Sequence, residues 1–400
     1  MNKLRFCLLA ALFFPMLAWA QYSSNNEEEV MLGNPNILLT NMNIQVQATE
    51  AINDMYNFKF DRADMKFSWM RQDHPAHPLP YFLLGLSQWW RIVPNIDVER
   101  YDDAFLSYMD QSIEKAEALL DRDPENVEAN FFLAAAWGFK GRLYSERKQW
   151  RKATFAGKNA LNYMQKSKDK AELSPEFLFG DGLYNYYAEW IPENYFWLRP
   201  VVALFPDGDK ELGLKQLREV TLNAFYTRTE AQYFLMQIYA SEEGRPDLAM
   251  PIATRLYEAY PDNAFFQRYY ARLCFTQGRL REAEEASASI LEKIAAQMPG
   301  YEAVSGRYAA FYLGYINQVR HRDLDKAKAY FQQAVQFAEA SNQDDSGYYL
   351  YSLAHLARIA DAQGDVGQAR DYYQLIKKKA DRKHSTYDEA RTYLRSHRKA

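Results

Sequence analysis

Residues 353–376 read LAHLARIADAQGDVGQARDYYQLI, and the architecture of the chain follows from them. Small and apolar residues recur three and four positions apart before the Gly364-Asp365 turn, and again after it. Such spacing places these residues on one face of an α-helix. Ala357 and Ala369 are twelve residues apart on either side of the turn. This pattern predicts two antiparallel helices that cross where both side chains are small.

The same layout recurs along the chain at a regular period. Ala249 and Ala283 are 34 residues apart, which is the period of the tetratricopeptide repeat (TPR). Later copies are longer, because Ala327 follows Ala283 by 44 residues and Ala369 follows Ala327 by 42. Gly213 takes the small position in the middle copy. The chain therefore resembles the TPR superfamily over most of residues 41–380, most strongly in the last four copies.

The predicted fold class is all-α, a right-handed superhelical solenoid of TPR-like helix pairs. The predicted pairs are 43–73, 79–121, 127–170, 175–222, 228–260, 264–296, 305–340 and 347–380, followed by a helix over 385–397. N-terminal repeats are assigned to 41–183, C-terminal repeats to 208–384, and a basic capping helix to 385–400. Arg391, Arg395, Arg398 and Lys399 supply the polar outer face that a terminal repeat needs.

The first twenty residues have the pattern of an export signal. A basic start is followed by an apolar stretch, and Ala18-Trp19-Ala20 matches a signal-peptidase site. The stretch is shorter than the roughly 20 residues needed to span a bilayer. Cleavage would leave one cysteine, Cys274, which is expected in the core. We therefore predict a periplasmic or secreted protein, with residues 21–40 as a flexible tether.

Residues 184–207 interrupt the repeat pattern with aromatic residues, Pro192 and Pro200. Together with the following GDKELGLKQL stretch at 208–217, they resemble the eukaryotic inclusion-body-clearance family of TPR proteins. Asp209 is predicted to cap the next helix. The insert is either an aromatic surface for a partner or lipid, or a segment packed across the groove between two half-arrays. The candidate apolar patch comprises Trp190, Tyr195, Phe196 and Trp197.

Composition and motifs favour a binding protein over an enzyme or a nucleic-acid binder. The net charge is -4, whereas a polyanion-binding chain needs a basic footprint. The sequence contains neither a G-x-S-x-G motif nor a phosphate-binding loop. His74 and His77 flank Pro75 in a turn with no zinc-motif spacing. We therefore expect no catalytic residue, metal site or cofactor.

The predicted function is a non-enzymatic scaffold in the bacterial cell envelope that binds a protein or peptide. Two alternatives stay open: an enzyme or accessory subunit acting on envelope polymers, and a carrier whose aromatic insert holds an apolar ligand. The tail over 377–399 carries nine basic residues. It indicates either a peripheral contact with anionic lipid or a solvated face.

The predicted binding surface lies on the first helices of the later pairs, where the TPR resemblance implies a concave groove. Offsets from Ala271, Gly314 and Ala357 select the candidate residues. These are Phe265, Arg268, Arg272, Tyr308, Phe311, Tyr315, Tyr351 and Arg358. Arginines and aromatic faces suit an acidic or C-terminal peptide with apolar residues. The alternative is that the aromatics pack between repeats and the arginines pair with acids of the same chain.

Overall fold

A computed structural model describes residues 37–166, 174–196, 199–203, 205–345 and 347–397, without the side chains of residues 200 and 201. The predicted signal peptide, residues 21–36 of the predicted tether, and Trp197 lie outside these ranges. Within them the secondary structure is helical, and no β-strand occurs in the described ranges. The predicted all-α class is confirmed.

The α-helices run in antiparallel pairs along the chain. They are α1 Met42–Tyr56, α2 Phe60–Asp73, α3 Pro78–Ile92, α4 Asp102–Leu120, α5 Val127–Glu146, α6 Trp150–Lys166, α7 Leu178–Asn194, α8 Arg199–Val202, α9 Lys210–Asn223, α10 Arg228–Gln237, α11 Pro246–Ala259, α12 Ala264–Thr276, α13 Leu280–Ala295, α14 Ala303–Ile316, α15 Leu324–Ala340, α16 Gly347–Ala362, α17 Val366–Lys379 and α18 Ser385–Ser396. Short 3-10 helices cover Leu38–Thr40, Val93–Asn95 and Pro175–Phe177, and π-helical segments extend α10 over Ile238–Glu242 and α14 over Asn317–His321.

The turn between α16 and α17 shows how two residues end one helix and begin the next. Gly364 has a φ of 81°, in the left-handed region that glycine enters without steric cost. This turn lets the Asp365 N–H donate to the Ala360 carbonyl at 2.9 Å, closing the end of α16. The Asp365 carboxylate then accepts from the Gln368 N–H at 2.9 Å and caps α17. Asp209 caps α9 in the same way, accepting from Leu212 at 2.9 Å, as predicted.

Small residues lie where the paired helices cross, as the repeat pattern predicts. Ala249, Ala283, Ala327 and Ala369 are all fully buried. Gly213 permits the closest approach, because a Cβ atom built on it would lie 2.6 Å from the Tyr186 backbone nitrogen. Helices α7 and α9 therefore meet backbone to backbone at this glycine.

In the middle of the chain, the observed boundaries of the segments differ from the predicted ones. Residues 184–194 lie within α7, and Pro192 is in its last turn, so the irregular segment begins at Tyr195. The chain divides into two compact units after Glu243, rather than near 207, with Val93–Asn95 packed into the second unit. The N-terminal unit retains α9 and α10 because α9 packs on both α7 and α10.

Buried glutamates join distant helices within the N-terminal unit. Glu230 of α10 accepts hydrogen bonds from the Tyr56 hydroxyl at 3.1 Å and the Trp90 indole at 2.7 Å. Glu128 of α5 accepts from the backbone N–H of Leu39 at 2.6 Å. These bonds connect helix pairs that are not neighbours in sequence, so the N-terminal unit is more than a chain of nearest-neighbour contacts.

Among the described residues, no helix is both long enough and apolar enough to cross a bilayer.

Candidate functional site

The C-terminal unit exposes one side of its first helices, α12, α14 and α16, which we call the first-helix face. Helix α12 packs on α14 and α14 packs on α16, whereas the second helices α13, α15 and α17 make at most marginal contact with one another. Helices that approach most closely on one side line the inner side of a curved array. The first-helix face is therefore where an extended ligand would meet several repeats at once.

Arg268 lies on this face but is engaged by the chain itself. Its guanidinium donates to the Pro94 carbonyl at 3.0 Å and to the Ser305 hydroxyl at 3.1 Å. The neighbouring Asn95 amide donates to the Glu302 carboxylate at 2.9 Å. Residues Val93–Asn95 thus occupy part of the surface predicted for a ligand.

Tyr308 is the centre of a cluster of arginines on α12 and α14. The guanidinium carbons of Arg268 and Arg307 lie 5.7 Å and 5.0 Å from its ring centre. Burial alone would raise the pKa of Tyr308, but Arg268, Arg307 and Arg272 together outweigh burial and lower it below its usual value. The local field is therefore positive, which favours an anionic group.

Arg272 is the most accessible member of this arginine cluster. Its side chain is exposed on α12, with the guanidinium 5.8 Å from the ring centre of Tyr269. The Arg272 guanidinium contacts the Tyr269 ring, and among the described residues no carboxylate forms an ion pair with it. Of the predicted arginines, Arg272 is therefore the one placed to meet a ligand first.

Other predicted residues belong mainly to the packing between repeats. Phe311 is only 6% exposed, and its ring lies 4.9 Å from Tyr348 and 6.0 Å from Phe275. Tyr315 is half-buried, with its ring 5.2 Å from Phe275. The placement of Phe311 is a correction, because a phenylalanine shared by α12, α14 and α16 forms core rather than groove.

Of the predicted residues at the two ends of this surface, one is paired within the chain and two are accessible. Arg358 donates to the Glu389 carboxylate of α18 at 2.7 Å, so it pairs with an acid of its own chain, as the alternative interpretation predicted. Tyr351 is 40% exposed beside His384. Phe265 is half-buried under the Arg268 guanidinium. Tyr351 and Phe265 stay accessible as apolar contacts.

Sequence reasoning missed Arg307, Tyr312 and Tyr348. Arg307 is 4% exposed and lies two helical turns before Gly314, on the same side of α14. The hydroxyls of Tyr312 and Tyr348 lie 3.0 Å apart, and burial raises the pKa of both. The spacing between Arg307 and Gly314 could have identified Arg307 from the sequence. No local spacing could have identified the tyrosine pair, because its two members are 36 positions apart.

The aromatic insert folds mostly inward. Trp190 is buried, with its ring 5.8 Å from that of Tyr195, which is half-buried. Phe196 is 76% exposed. These positions match the packed interpretation of the insert better than a continuous exposed aromatic patch.

Comparisons with solved structures return proteins at low sequence identity. Human IFIT1, in a dimer with PPP-AAAA, is 13% identical with a TM-score of 0.42, covering 80% of this chain and 69% of that chain. Yeast Tom70 is 12% identical with a TM-score of 0.36, covering 88% and 81%. The TPR domain of P58(IPK) is 9% identical with a TM-score of 0.24, covering 90% and 100%. At these TM-scores, the similarities carry no inference about function.

No protein-family model matches the chain. No curated protein matches it significantly by sequence. The description as TPR-like helix pairs therefore rests on the helices themselves. Nothing in the comparisons supports the resemblance of the middle segment to the inclusion-body-clearance family, which stays a prediction.

Proposed function

We propose that the protein is a non-enzymatic scaffold whose first-helix face binds an acidic or C-terminal segment of a partner protein. The observation that carries this proposal is the exposed Arg272 beside Arg268, Arg307 and Tyr308, where the field is positive. A guanidinium holds a carboxylate through two parallel hydrogen bonds. The same face offers the aromatic rings of Phe265 and Tyr351 to apolar side chains of the ligand.

The contacts of Val93–Asn95 with this face support a polypeptide segment as the ligand. Pro94 presents its carbonyl to Arg268, and Asn95 presents its amide to Glu302. Both contacts recognise polar groups on a short 3-10 helical segment, and the Arg268 contact uses only its main chain. A partner peptide would continue this arrangement towards Arg272.

We expect Arg272→Ala to weaken binding of acidic peptides by about tenfold or more, because a hydrogen bond to a charged group contributes roughly 1.5–3 kcal/mol. The probe is a synthetic peptide array with free C-terminal carboxylates. A duplicate array has amidated C-termini, with Asn and Gln replacing Asp and Glu. The full chain should bind the peptides of the first array and should not bind those of the second.

Arg255→Ala is the matched control for this substitution, since Arg255 is exposed on the second helix α11. It removes the same charge away from the first-helix face and should leave peptide binding unchanged. Equal binding to both arrays, or equal loss in the two arginine variants, would show that no acidic peptide is recognised at Arg272.

We propose that this scaffold acts outside the cytoplasm, after cleavage following Ala20. The support is the Ala18-Trp19-Ala20 pattern behind an apolar stretch of signal-peptide length. N-terminal sequencing of the protein from envelope fractions should begin at Gln21. Replacing Ala18 and Ala20 with Gln should block processing, since a signal peptidase needs small residues there. A cytoplasmic chain that still begins at Met1 would refute export.

A further inference from the structure

Helix α6 of the N-terminal unit is basic along its whole length. Its sequence from Trp150 to Lys166 contains four cationic side chains and neither Asp nor Glu. The helix packs closely on α5 and makes at most marginal contact with the other described helices. One side of α6 is therefore left uncovered by the helices that the structure describes.

The uncovered side of α6 presents a row of exposed side chains, which we call the α6 row. Its members are Arg151, Phe155, Lys158, Asn162 and Lys166. Spacings of three and four residues place them on one face of the helix, and the row is about 22 Å long at the rise of an α-helix. Three of the five members are cations. The row is thus a basic surface that contains one aromatic ring.

Large aromatic side chains accompany these cations. Phe155 is 60% exposed, and Trp150, at the start of the helix, is 47% exposed. The Phe155 ring lies 5.5 Å from the Trp137 ring of α5, and the Lys140 ammonium lies 4.6 Å from that Trp137 ring. Exposed apolar side chains that are grouped together and surrounded by polar residues mark interaction surfaces.

The cations of α6 have no acidic partner in the described ranges. The Lys152 ammonium lies 5.3 Å from the ring centre of Tyr144, and the Lys166 ammonium lies 5.2 Å from that of Tyr163. No carboxylate in the described part of the chain forms an ion pair with these lysines or with the other two cations of the helix. Their charge is therefore available to an anionic surface.

Two acids of α4 lie beside this surface without pairing with the cations of α6. Asp110 forms an ion pair with Lys140 of α5. Glu117 is close enough to Tyr163 to add to burial in raising the pKa of that tyrosine. Tyr163 lies on the flank of α6, outside the row. The charge along the row itself is therefore positive throughout.

We propose that the α6 row docks on an anionic phospholipid bilayer, with its three cations against the headgroups and the rings of Trp150 and Phe155 in the interfacial layer. Helices that lie on membranes combine Lys and Arg with Trp and Phe, and Trp is enriched at the membrane interface. A flat surface can contact a row along the outside of one helix over its whole length. The apolar side of α6 packs on α5, so attachment depends on charge and two rings and is reversible and sensitive to salt. This surface belongs to the N-terminal unit, so the inference goes beyond peptide binding by the first-helix face.

The test measures partitioning of the full chain onto vesicles by flotation at 50 mM NaCl. Vesicles of 70% phosphatidylcholine and 30% phosphatidylglycerol should bind it about a hundredfold better than vesicles of phosphatidylcholine alone, since each basic residue near an anionic surface contributes about fivefold. Arg151→Gln combined with Lys158→Gln should reduce partitioning onto the anionic vesicles about thirtyfold on the same basis. The matched control is Lys377→Gln combined with Lys378→Gln, which removes the same charge from exposed positions on α17 and should change nothing.

A second pair of variants tests the aromatic part of the surface. Trp150→Ala should weaken partitioning about tenfold, because a partly buried ring is lost from the interface. Trp69→Ala is its control, since Trp69 is 54% exposed on α2 of the same unit. Circular dichroism and melting temperature should match the wild type in all of these variants, because the changed side chains are exposed.

Two results would overturn the proposal directly: no preference of the wild type for anionic vesicles, or an equal loss in the α6 variants and their controls. A loss confined to the α17 control would assign lipid contact to the basic tail and overturn the α6 site. If the α6 variants lose binding to a polyglutamate peptide and the wild type does not bind vesicles, the row serves an acidic protein instead. Should the α6 charge variant fail to fold, the wild type decides the point, because 500 mM NaCl must release it from anionic vesicles.

Discussion

Glu176→Ala is expected to lower the free energy of unfolding of the N-terminal unit by about 3–5 kcal/mol, because it removes the acceptor of four hydrogen bonds, each unsatisfied donor costing about 1–3 kcal/mol where it is buried. The Glu176 carboxylate is 1% exposed. It accepts from the backbone N–H groups of Phe225, Tyr226 and Thr227, the last two at 2.9 Å, and from the Thr227 hydroxyl at 2.6 Å. Alanine would leave the buried Tyr226 N–H and three partly buried donors without this acceptor.

Urea unfolding followed by tryptophan fluorescence measures this effect in the relevant unit, since all eight tryptophans lie at or before residue 197. Glu117→Ala, exposed on α4, is the matched control and should change stability by less than about 0.5 kcal/mol. Glu176→Gln should fall between the two, because an amide oxygen accepts only part of the network. If the Glu176→Ala chain is as stable as the Glu117→Ala chain, this network makes no net contribution to the free energy of unfolding.

Gly213→Ala is expected to destabilise the same unit by about 1–3 kcal/mol through overpacking. The added methyl would lie 2.6 Å from the Tyr186 nitrogen and 2.7 Å from the Gly182 carbonyl oxygen. Both are backbone atoms, so α7 and α9 must move apart. The clash must also outweigh the gain of up to about 1 kcal/mol that alanine brings inside a helix.

Gly138→Ala is the control for that intrinsic gain, because its methyl meets no atom within 4 Å. It should be neutral or stabilising by up to about 1 kcal/mol in the same urea experiment. If Gly213→Ala proves as stable as Gly138→Ala, the close crossing of α7 and α9 is not a feature of the folded protein.

The helix pairs were predictable from sequence because their determinants are local. The 3.6-residue periodicity, the small crossing residues and capping residues such as Asp209 all act within one pair. Predicted and observed pairs therefore agree to within a few residues, for example 264–296 against α12 and α13. The insert was the exception, because α7 continues through Pro192 into its last turn, although a proline there cannot donate to the carbonyl four residues earlier.

The candidate site was predictable only in part, because helical spacing does not distinguish a groove from the contact between repeats. Phe311 and Arg272 satisfy the same offsets, yet one is buried and the other exposed. Arg268 is engaged by Pro94, which precedes it by 174 residues.

The bonds from Glu230 to Tyr56 and Trp90 can form only after α10 has been synthesised. They join residues 174 and 140 positions apart, whereas a linear repeat array nucleates anywhere and grows from neighbour to neighbour.

A chain that emerges N-terminus first presents α1 and α3 long before α10 follows. Until then, the apolar core of the N-terminal unit stays open to solvent, the condition in which chains aggregate and holding chaperones act. Most hydrogen bonds between the described helices of the C-terminal unit reach only to the next pair, and its longer bonds, from Arg268 to Pro94 and from Asn95 to Glu302, use a segment that is synthesised earlier. We therefore expect the half of the protein made first to complete its long-range contacts late, and to assemble slowly, as folds rich in distant contacts do.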